Sequence, residues 1–241
     1  MTITSHHNEK LKEIRKLTQR RRRRERSGRF VAEGEDLLAA ADAAGWVALE
    51  RLCAAGSGLP GEEVEPAVLA TVSSLGSGTR ALAIYEQRWQ PAPVGPLCVY
   101  LHGLSDPGNV GTVLRSARAF GASSVALGPG TADPYGPKAV RASMGAIFEV
   151  PLARVAGAGE PGALPGRRIA LVAGSGTALE RIQNRGIGGV TLLIGAEREG
   201  LPEDVVAAAD EVAEIPIRNH SLNAAMAATV ALYELSRMAR E

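Results

Sequence analysis

From residue 97 onward the chain alternates short runs rich in apolar residues, of which LCVYLHGL is continuously apolar at its start, with stretches of helical spacing. The apolar runs are LCVYLHGL, SSVALG, FEVPLARV, RRIALVAG, VTLLIGAE and DEVAEIPI. The helical stretches are NVGTVLRSARAFG, closed by Gly121, then PEDVVAAAD and SLNAAMAATVALYELSRMAR. Strands without a polar face, set between helices, predict a mostly parallel sheet covered by helices on both faces. That places residues 97–241 in the α/β class as one domain.

Residues 1–88 read as a second, smaller α/β unit. RFVAE, VALERLCA and RALAIYE have strand character, and GEDLLAAADAAG and EPAVLATVSSL helical character. NEKLKEIRKLTQRRRRRERSG places Leu11, Ile14 and Leu17 on one helical face, with Gly28 as the stop. Residues 89–96, inside the three-proline stretch QRWQPAPVGP, read as the linker, and AGAGEPGALPG as a surface loop.

The net charge of +1 conceals an asymmetry. Residues 1–30 carry eleven Lys/Arg against three Glu, a net of +8, and the remainder is net −7. Such a split suggests a polyanion-facing arm on an acidic body. Aromatics are only 4% of the chain, which argues against a broad base-stacking surface. Cys53 and Cys98 sit in apolar runs, and the histidines are His6, His7, His102 and His220, so no zinc spacing can be built and no metal is expected. No apolar run approaches the about 20 residues of a membrane span, which leads us to expect a cytoplasmic protein with no membrane partner.

Three strand-to-helix junctions hold more polar groups than a turn requires. In SDPGNVGTVLRSARAFG, Asp106-Pro107-Gly108 is a turn and Asn109 a candidate cap. A cap leaves Arg115 unexplained; it shares a face with Arg118, and a guanidinium there suits a phosphate. In LLIGAEREGLP, Gly195 ends a strand, Glu197 and Gly200 follow, and a helix could start at Pro202. These glycines serve either a tight turn or close approach of a ligand. In IPIRNHSLN, five of the six residues 218–223 are polar. Ser221 or Asn219 would suffice as the cap, so Arg218, His220 and Asn223 are surplus. All three junctions lie at the carboxyl ends of strands, where such sheets bind ligands. A dinucleotide fingerprint fails: after Gly174 and Gly176 its third position is Leu179.

In this order, NVGTVLRSARAFG, IGAEREG, and IPI with SLN before a small-residue helix ending in Tyr233-Glu234 resemble the three motifs of the SpoU-TrmH RNA methyltransferases of the SPOUT superfamily. KAVRASMGAIFEVP, residues 138–151, resembles that family's intermediate segment, so the likeness covers essentially all of 97–241. TSHHNEKLKEIRKL and FVAEGEDLL are similar to its small N-terminal α/β substrate-binding domain, which has a ribosomal-protein-like fold. SLNAAMA departs from the commoner SLNVSVA at apolar helix positions, which touches packing rather than chemistry.

The resemblance implies a trefoil-knotted methyltransferase domain that binds S-adenosyl-L-methionine, works as a homodimer and methylates a ribose 2′-hydroxyl of RNA. Ribosomal RNA is the expected target. Transfer RNA is the alternative substrate, and a non-catalytic RNA-binding protein of this fold the alternative role. By motif position, Gly174, Leu193, Gly195, Ile215 and Leu222 are implied cofactor contacts. Asn109, Arg115, Glu197, Ser221 and Asn223 are the implied catalytic set. An arginine is a poor base, so Arg115 is expected to clamp the target phosphate and the developing alkoxide. Beside such a domain, Arg15, Lys16, Arg20, Arg21, Arg22, Arg23 and Arg24 of the basic arm, with Arg118 and Arg141, are expected to contact RNA phosphates.

Overall fold

The computed structural model describes residues 2–74, 78–159, 162–182, 189–218 and 221–238. In chain order the first elements are α1 (Glu9–Gln19), α2 (Arg21–Ser27), β1 (Arg29–Glu33), α3 (Glu35–Ala43), β2 (Glu50–Ala54), β3 (Glu62–Val64), α4 (Pro66–Ala70) and β4 (Ala81–Glu86). There follow β5 (Leu97–Leu101), α5 (Pro107–Ala119), β6 (Ser124–Leu127), α6 (Pro137–Ala142), β7 (Leu152–Arg154), β8 (Arg167–Leu171) and β9 (Thr177–Ala178). The last are β10 (Val190–Ile194), α7 (Glu203–Ala207), β11 (Glu211–Glu214) and α8 (Ala224–Met238).

Two compact units result. The first holds the residues up to Gln87 together with Asp133–Phe148; the second holds Arg88–Ala132 and the chain from Glu149 on. The apolar pattern placed 133–148 wholly inside the 97–241 domain, whereas its contacts group it with the first unit. Tyr135 and Phe148 stack with Phe30 at ring-centroid distances of 4.7 and 6.1 Å, and Trp46 Nε1 donates to the Phe148 carbonyl at 2.7 Å. An aromatic cluster drawn from both stretches is buried there.

In the first unit the strands run in the order β1-β4-β2-β3, antiparallel except for β2 with β3. Leu11, Ile14 and Leu17 of α1 are fully buried on it among Val31, Leu52, Leu82 and Ile84, as their spacing predicts. The basic stretch is not one helix. Arg20 is extended, with φ −121° and ψ 106°, and α2 starts after it and stops at Gly28, whose φ of +65° favours glycine. The break turns Arg24 inward. Its Nε donates to Asp133 at 2.7 Å and its Nη1 to the Leu17 carbonyl at 2.6 Å, so Arg24 closes the last turn of α1.

The second unit is the parallel sheet that the apolar runs predict, with seven strands in the order β7-β6-β5-β10-β8-β11-β9. FEVPLARV contributes only Leu152–Arg154 to it, because Ala146–Phe148 forms a short 3₁₀ turn. The strand alternation assigns the two faces. Leu193 packs with Cys98, Tyr100, Ala126 and α7's Val205. Its neighbour Ile194 points the other way, where α8 lies against β10 and α5 against α8. Ser116 Oγ and Thr229 Oγ1 join the two helices at 2.6 Å. The strand order reverses between β5 and β10, and the carboxyl ends there are the expected ligand position.

Candidate active site

The three polar junctions meet. Asp106 caps α5: its Oδ1 accepts from the Gly108 and Asn109 amides at 2.5 and 3.2 Å. Asn109 is therefore not the cap that its position suggested, and its side chain is free to reach across. Its Nδ2 donates to Glu197 Oε1 at 2.5 Å, and its Oδ1 accepts from Asn223 Nδ2 at 3.3 Å. Asn223 in turn caps α8, its Oδ1 accepting from the Ala225 and Met226 amides at 3.0 and 3.2 Å. The cap is thus Asn223 rather than Ser221. Arg218 is exposed, and the candidate cap Asn219 and the surplus His220 lie outside the described residues. One residue from each junction forms a continuous bridge ending on a carboxylate, so its last bond is charge-assisted.

Beside the bridge opens a crevice of about 250 Å³. Leu171, Val172, Ile194, Ile215, Ile217 and Leu222 form apolar walls; Gly195, Glu197 and Ser221 line it while Asn223 does not, and Ala224 and Ala227 of α8 leave room. Leu193 does not reach it: period-two alternation sends that side chain into the opposite core, fully buried. Gly174 adjoins it through Ala173 without lining it. Gly195 is needed for a reason other than ligand approach. A Cβ there would stand 2.1 Å from the Gly200 carbonyl carbon, because Ala196 and Gly200 exchange two backbone bonds of 3.0 Å across a tight turn. Ile215 and Ile217 lie past the last residue of β11, and Leu222 before α8; among the described residues none makes a backbone bond outside regular structure. Unspent donors and acceptors beside apolar walls suit a flat heteroaromatic group with a polar edge.

Sequence reasoning missed Arg198, which lines the crevice and is exposed, because one arginine in a glycine-bounded turn carries no pattern. Arg115 is exposed on α5, outside the crevice lining, and makes no hydrogen bond or ion pair among the described residues. Arg118 is committed to Glu149 at 2.7 Å. Met226, Val230 and Tyr233 form an exposed apolar stripe on α8, with Met226 62% exposed. Behind the sheet, burial pushes the Tyr100 phenol up to about 12, and its oxygen lies 3.0 Å from His102 Nδ1.

The cations expected to meet RNA differ in exposure: Arg24 is buried, whereas Arg21 and Arg23 are exposed and carry surface ion pairs. Arg24 is 6% exposed; Arg23 pairs with Glu13 at 2.8 Å and Arg21 with Glu25 at 2.8 Å. Arg15 is half-buried beside Thr71. Lys16, Arg20, Arg22 and Arg141 are exposed. Among the described residues no group of three or more His, Cys, Asp or Glu could hold a metal ion, and no helix is long and apolar enough to cross a membrane.

Residues 96–233 match the family model of the SpoU rRNA methylase family, and residues 8–83 match that of the MRM3-like substrate binding domain. The ribosomal RNA small subunit methyltransferase G 2 of Syntrophobacter fumaroxidans is 32% identical over 98% of this chain and 49% of its own length. The 23S rRNA (uridine(2479)-2′-O)-methyltransferase of Streptomyces viridochromogenes is 36% identical over 55% of this chain and 50% of its own. The chain thus spans about half the length of these curated relatives. Among solved structures, the AdoMet-bound rRNA methyltransferase from Sinorhizobium meliloti superimposes with a TM-score of 0.87 and 32% identity, covering 98% of this chain and 97% of that one. All three junctions fall within residues 96–233, more than half of the chain, and by that match the chain belongs to the SpoU rRNA methylase family.

Proposed function

We propose that this protein transfers a methyl group from S-adenosyl-L-methionine to a ribose 2′-hydroxyl of structured RNA, with large-subunit ribosomal RNA as the target and the cytoplasm as its place of work. The carrying observation is the Glu197–Asn109–Asn223 bridge at the mouth of an apolar crevice. A non-catalytic binding protein has no use for three junctions tied together at a pocket. The relative that methylates a uridine 2′-hydroxyl of 23S rRNA, and the AdoMet-bound neighbour, support the reading.

The crevice fits the cofactor. Its apolar walls would hold the adenosyl group, with the backbone of Gly195, Ile215 and Leu222 at its polar edge. Bound there, S-adenosyl-L-methionine supplies a methyl group on a sulfonium, so the leaving group needs no acid. The protein's residues then have to place the ribose and manage one proton. Ser221 and Asn223 orient the hydroxyl, and Glu197, held by Asn109, fixes the turn that floors the crevice. Arg115 clamps the phosphate beside the ribose and the developing alkoxide, and the proton leaves to a phosphate oxygen or to water. Arg115 stands outside the crevice of its own chain. The proposal therefore takes the active form to be a homodimer, paired across the apolar stripe of α8, in which Arg115 serves the partner copy's crevice. The chain knot implied by the resemblance belongs to the same proposal. Lys16, Arg20 and Arg22 carry the phosphate contacts of the basic arm.

The test is incubation with methyl-tritiated S-adenosyl-L-methionine and 23S rRNA, 16S rRNA or bulk tRNA, followed by alkaline hydrolysis. Label in an alkali-stable dinucleotide from 23S rRNA is expected. Label confined to tRNA would overturn the target, and label on a base, or none, would overturn the reaction.

A further inference from the structure

The first unit has a cavity of its own, about 480 Å³, walled by the start of α3, by residues 78–80 and by Arg141 and Met144. Its size is that of a small-molecule site. Among the described residues Met144 is the only non-glycine with positive φ, +48°, and its side chain is 51% exposed. The conformation is imposed from both sides. Ser143, fully buried, donates to the Val140 carbonyl at 2.7 Å, and a Cβ on Gly145 would stand 2.6 Å from Ala40 Cβ. A strained backbone that delivers an apolar side chain to solvent gains nothing from packing, and such strain collects at ligand sites.

The charges on the wall say what the ligand is. Arg80 is held by Glu35 at 3.1 Å. Glu33 accepts from Ser73, from Thr79 and, at 2.8 Å, from the Ser74 amide, so it secures the loop wall and has little left for a ligand. Arg141 and Asp36 make no side-chain bond or ion pair among the described residues. Three carboxylates against two guanidiniums do not trap a bare phosphate. An acceptor and a donor, both free, beside a thioether are the chemistry that reads the edge of a base while its face packs on sulfur or guanidinium.

We propose that this cavity receives one unstacked nucleotide of the substrate RNA, its base packed on Met144 and its polar edge met by Asp36 as acceptor and Arg141 as donor. The inference deepens the proposed function, since it assumes an RNA substrate. It also gives the 133–148 segment a role, because that stretch supplies two of the contacts.

Filter binding of full-length protein to 23S rRNA transcribed in vitro, and to a fully paired RNA duplex, provides the test. Met144→Gly removes the strain and the contact together. It should raise the melting temperature yet weaken 23S rRNA binding by about tenfold, the scale of one lost stacking contact. Met144→Asn, which tolerates positive φ, should weaken binding likewise, as should Arg141→Gln. S-adenosyl-L-methionine affinity should not change, nor should duplex binding by the Met144 variants. Stable Met144 variants with wild-type affinity for 23S rRNA would overturn the inference, and so would an equal loss on the duplex. A wild-type protein that binds 23S rRNA but methylates no RNA would refute the proposed function alone. One that binds no RNA would refute both.

Discussion

Asn223 has two roles that a single substitution separates. Its Oδ1 accepts the first free amides of α8, at 3.0 and 3.2 Å, and its Nδ2 donates to Asn109 Oδ1 at 3.3 Å. Asn223→Ala removes both. Loss of a cap costs about 1 kcal/mol, which lowers the melting temperature of a chain this size by about 2–4 °C. Asn223→Asp keeps the acceptor and puts a negative charge at a helix N-terminus, worth about 0.3–1 kcal/mol in its favour, so it should melt at or slightly above the wild-type temperature. The aspartate cannot donate to Asn109. Nor can Asn109 turn its amide to compensate, because that would aim its own carbonyl at the Glu197 carboxylate, which now receives its Nδ2 at 2.5 Å. The bridge therefore opens with the cap intact. Misplacing a reacting group by about 1 Å costs about 10² in rate, and that is the expected loss in single-turnover methylation for both variants. Thermal melts and rapid-quench methylation of 23S rRNA measure the two quantities. An Asn223→Asp protein that is fully stable and fully active would refute the reasoning and reduce the polar crowding before α8 to a cap.

Arg115→Ala should lower methyl transfer by about 10²–10³ without changing S-adenosyl-L-methionine affinity, and Arg115→Lys should stay impaired from pH 7 to 10, since a lysine lacks the fork. Mixing Arg115→Ala with Asn223→Asp chains should restore part of the activity if one copy's arginine serves the other's crevice; no recovery in proven mixed dimers would refute that arrangement. Replacing Lys16, Arg20 and Arg22 by Gln should reduce the salt dependence of RNA binding by about two to three units of slope, whereas Arg24→Gln should leave the slope alone and destabilise the fold by about 3–5 kcal/mol, because Asp133 would be left buried without its partner. Tyr100 keeps its proton to about 12 in the folded chain against 10.0 for the free group, so between those values the folded state binds more protons and stability falls as pH rises. Denaturant melts should lose up to about 3 kcal/mol across that range in the wild type, and Tyr100→Phe should remove this part of the slope.

The parallel sheet was legible because its central strands β5, β6 and β10, buried on both faces, are almost continuously apolar, and few other structures impose that pattern. The junctions were legible because they hold more hydrogen-bonding groups than their turns can use. Local chemistry also placed Gly28 as a stop. What escaped depends on partners far away in sequence. Arg24 looks like its four arginine neighbours until Asp133, 109 residues on, is placed beside it. Nothing local marks Arg20 as extended, since arginine is a good helix former. The place of the 133–148 segment is decided by Tyr135 and Phe148 finding Phe30 and Trp46, which nothing within the segment announces. β3 and β9 have three and two residues, too short for a period to declare itself.

The bridge itself indicates why the site is built on junctions. A cap needs one acceptor, and Asp106 and Asn223 each supply one. An aspartate or serine would serve α8 as well as an asparagine does, so the surplus in Asn223 is its amide donor. That donor is used on Asn109, 114 residues earlier, and Asn109 is used on Glu197, 88 residues later. Glu197 and Asn223 are exposed and Asn109 is half-buried, a setting in which such bonds add little to stability. Their return is positional. Three strand ends of a sheet are already within reach of one another, but each loop retains freedom that a rigid strand lacks. Tying the loops to one another at the mouth of the crevice removes that freedom where a hydroxyl and a methyl group must be aligned. A sequence selected only for folding would have no reason to keep both asparagines.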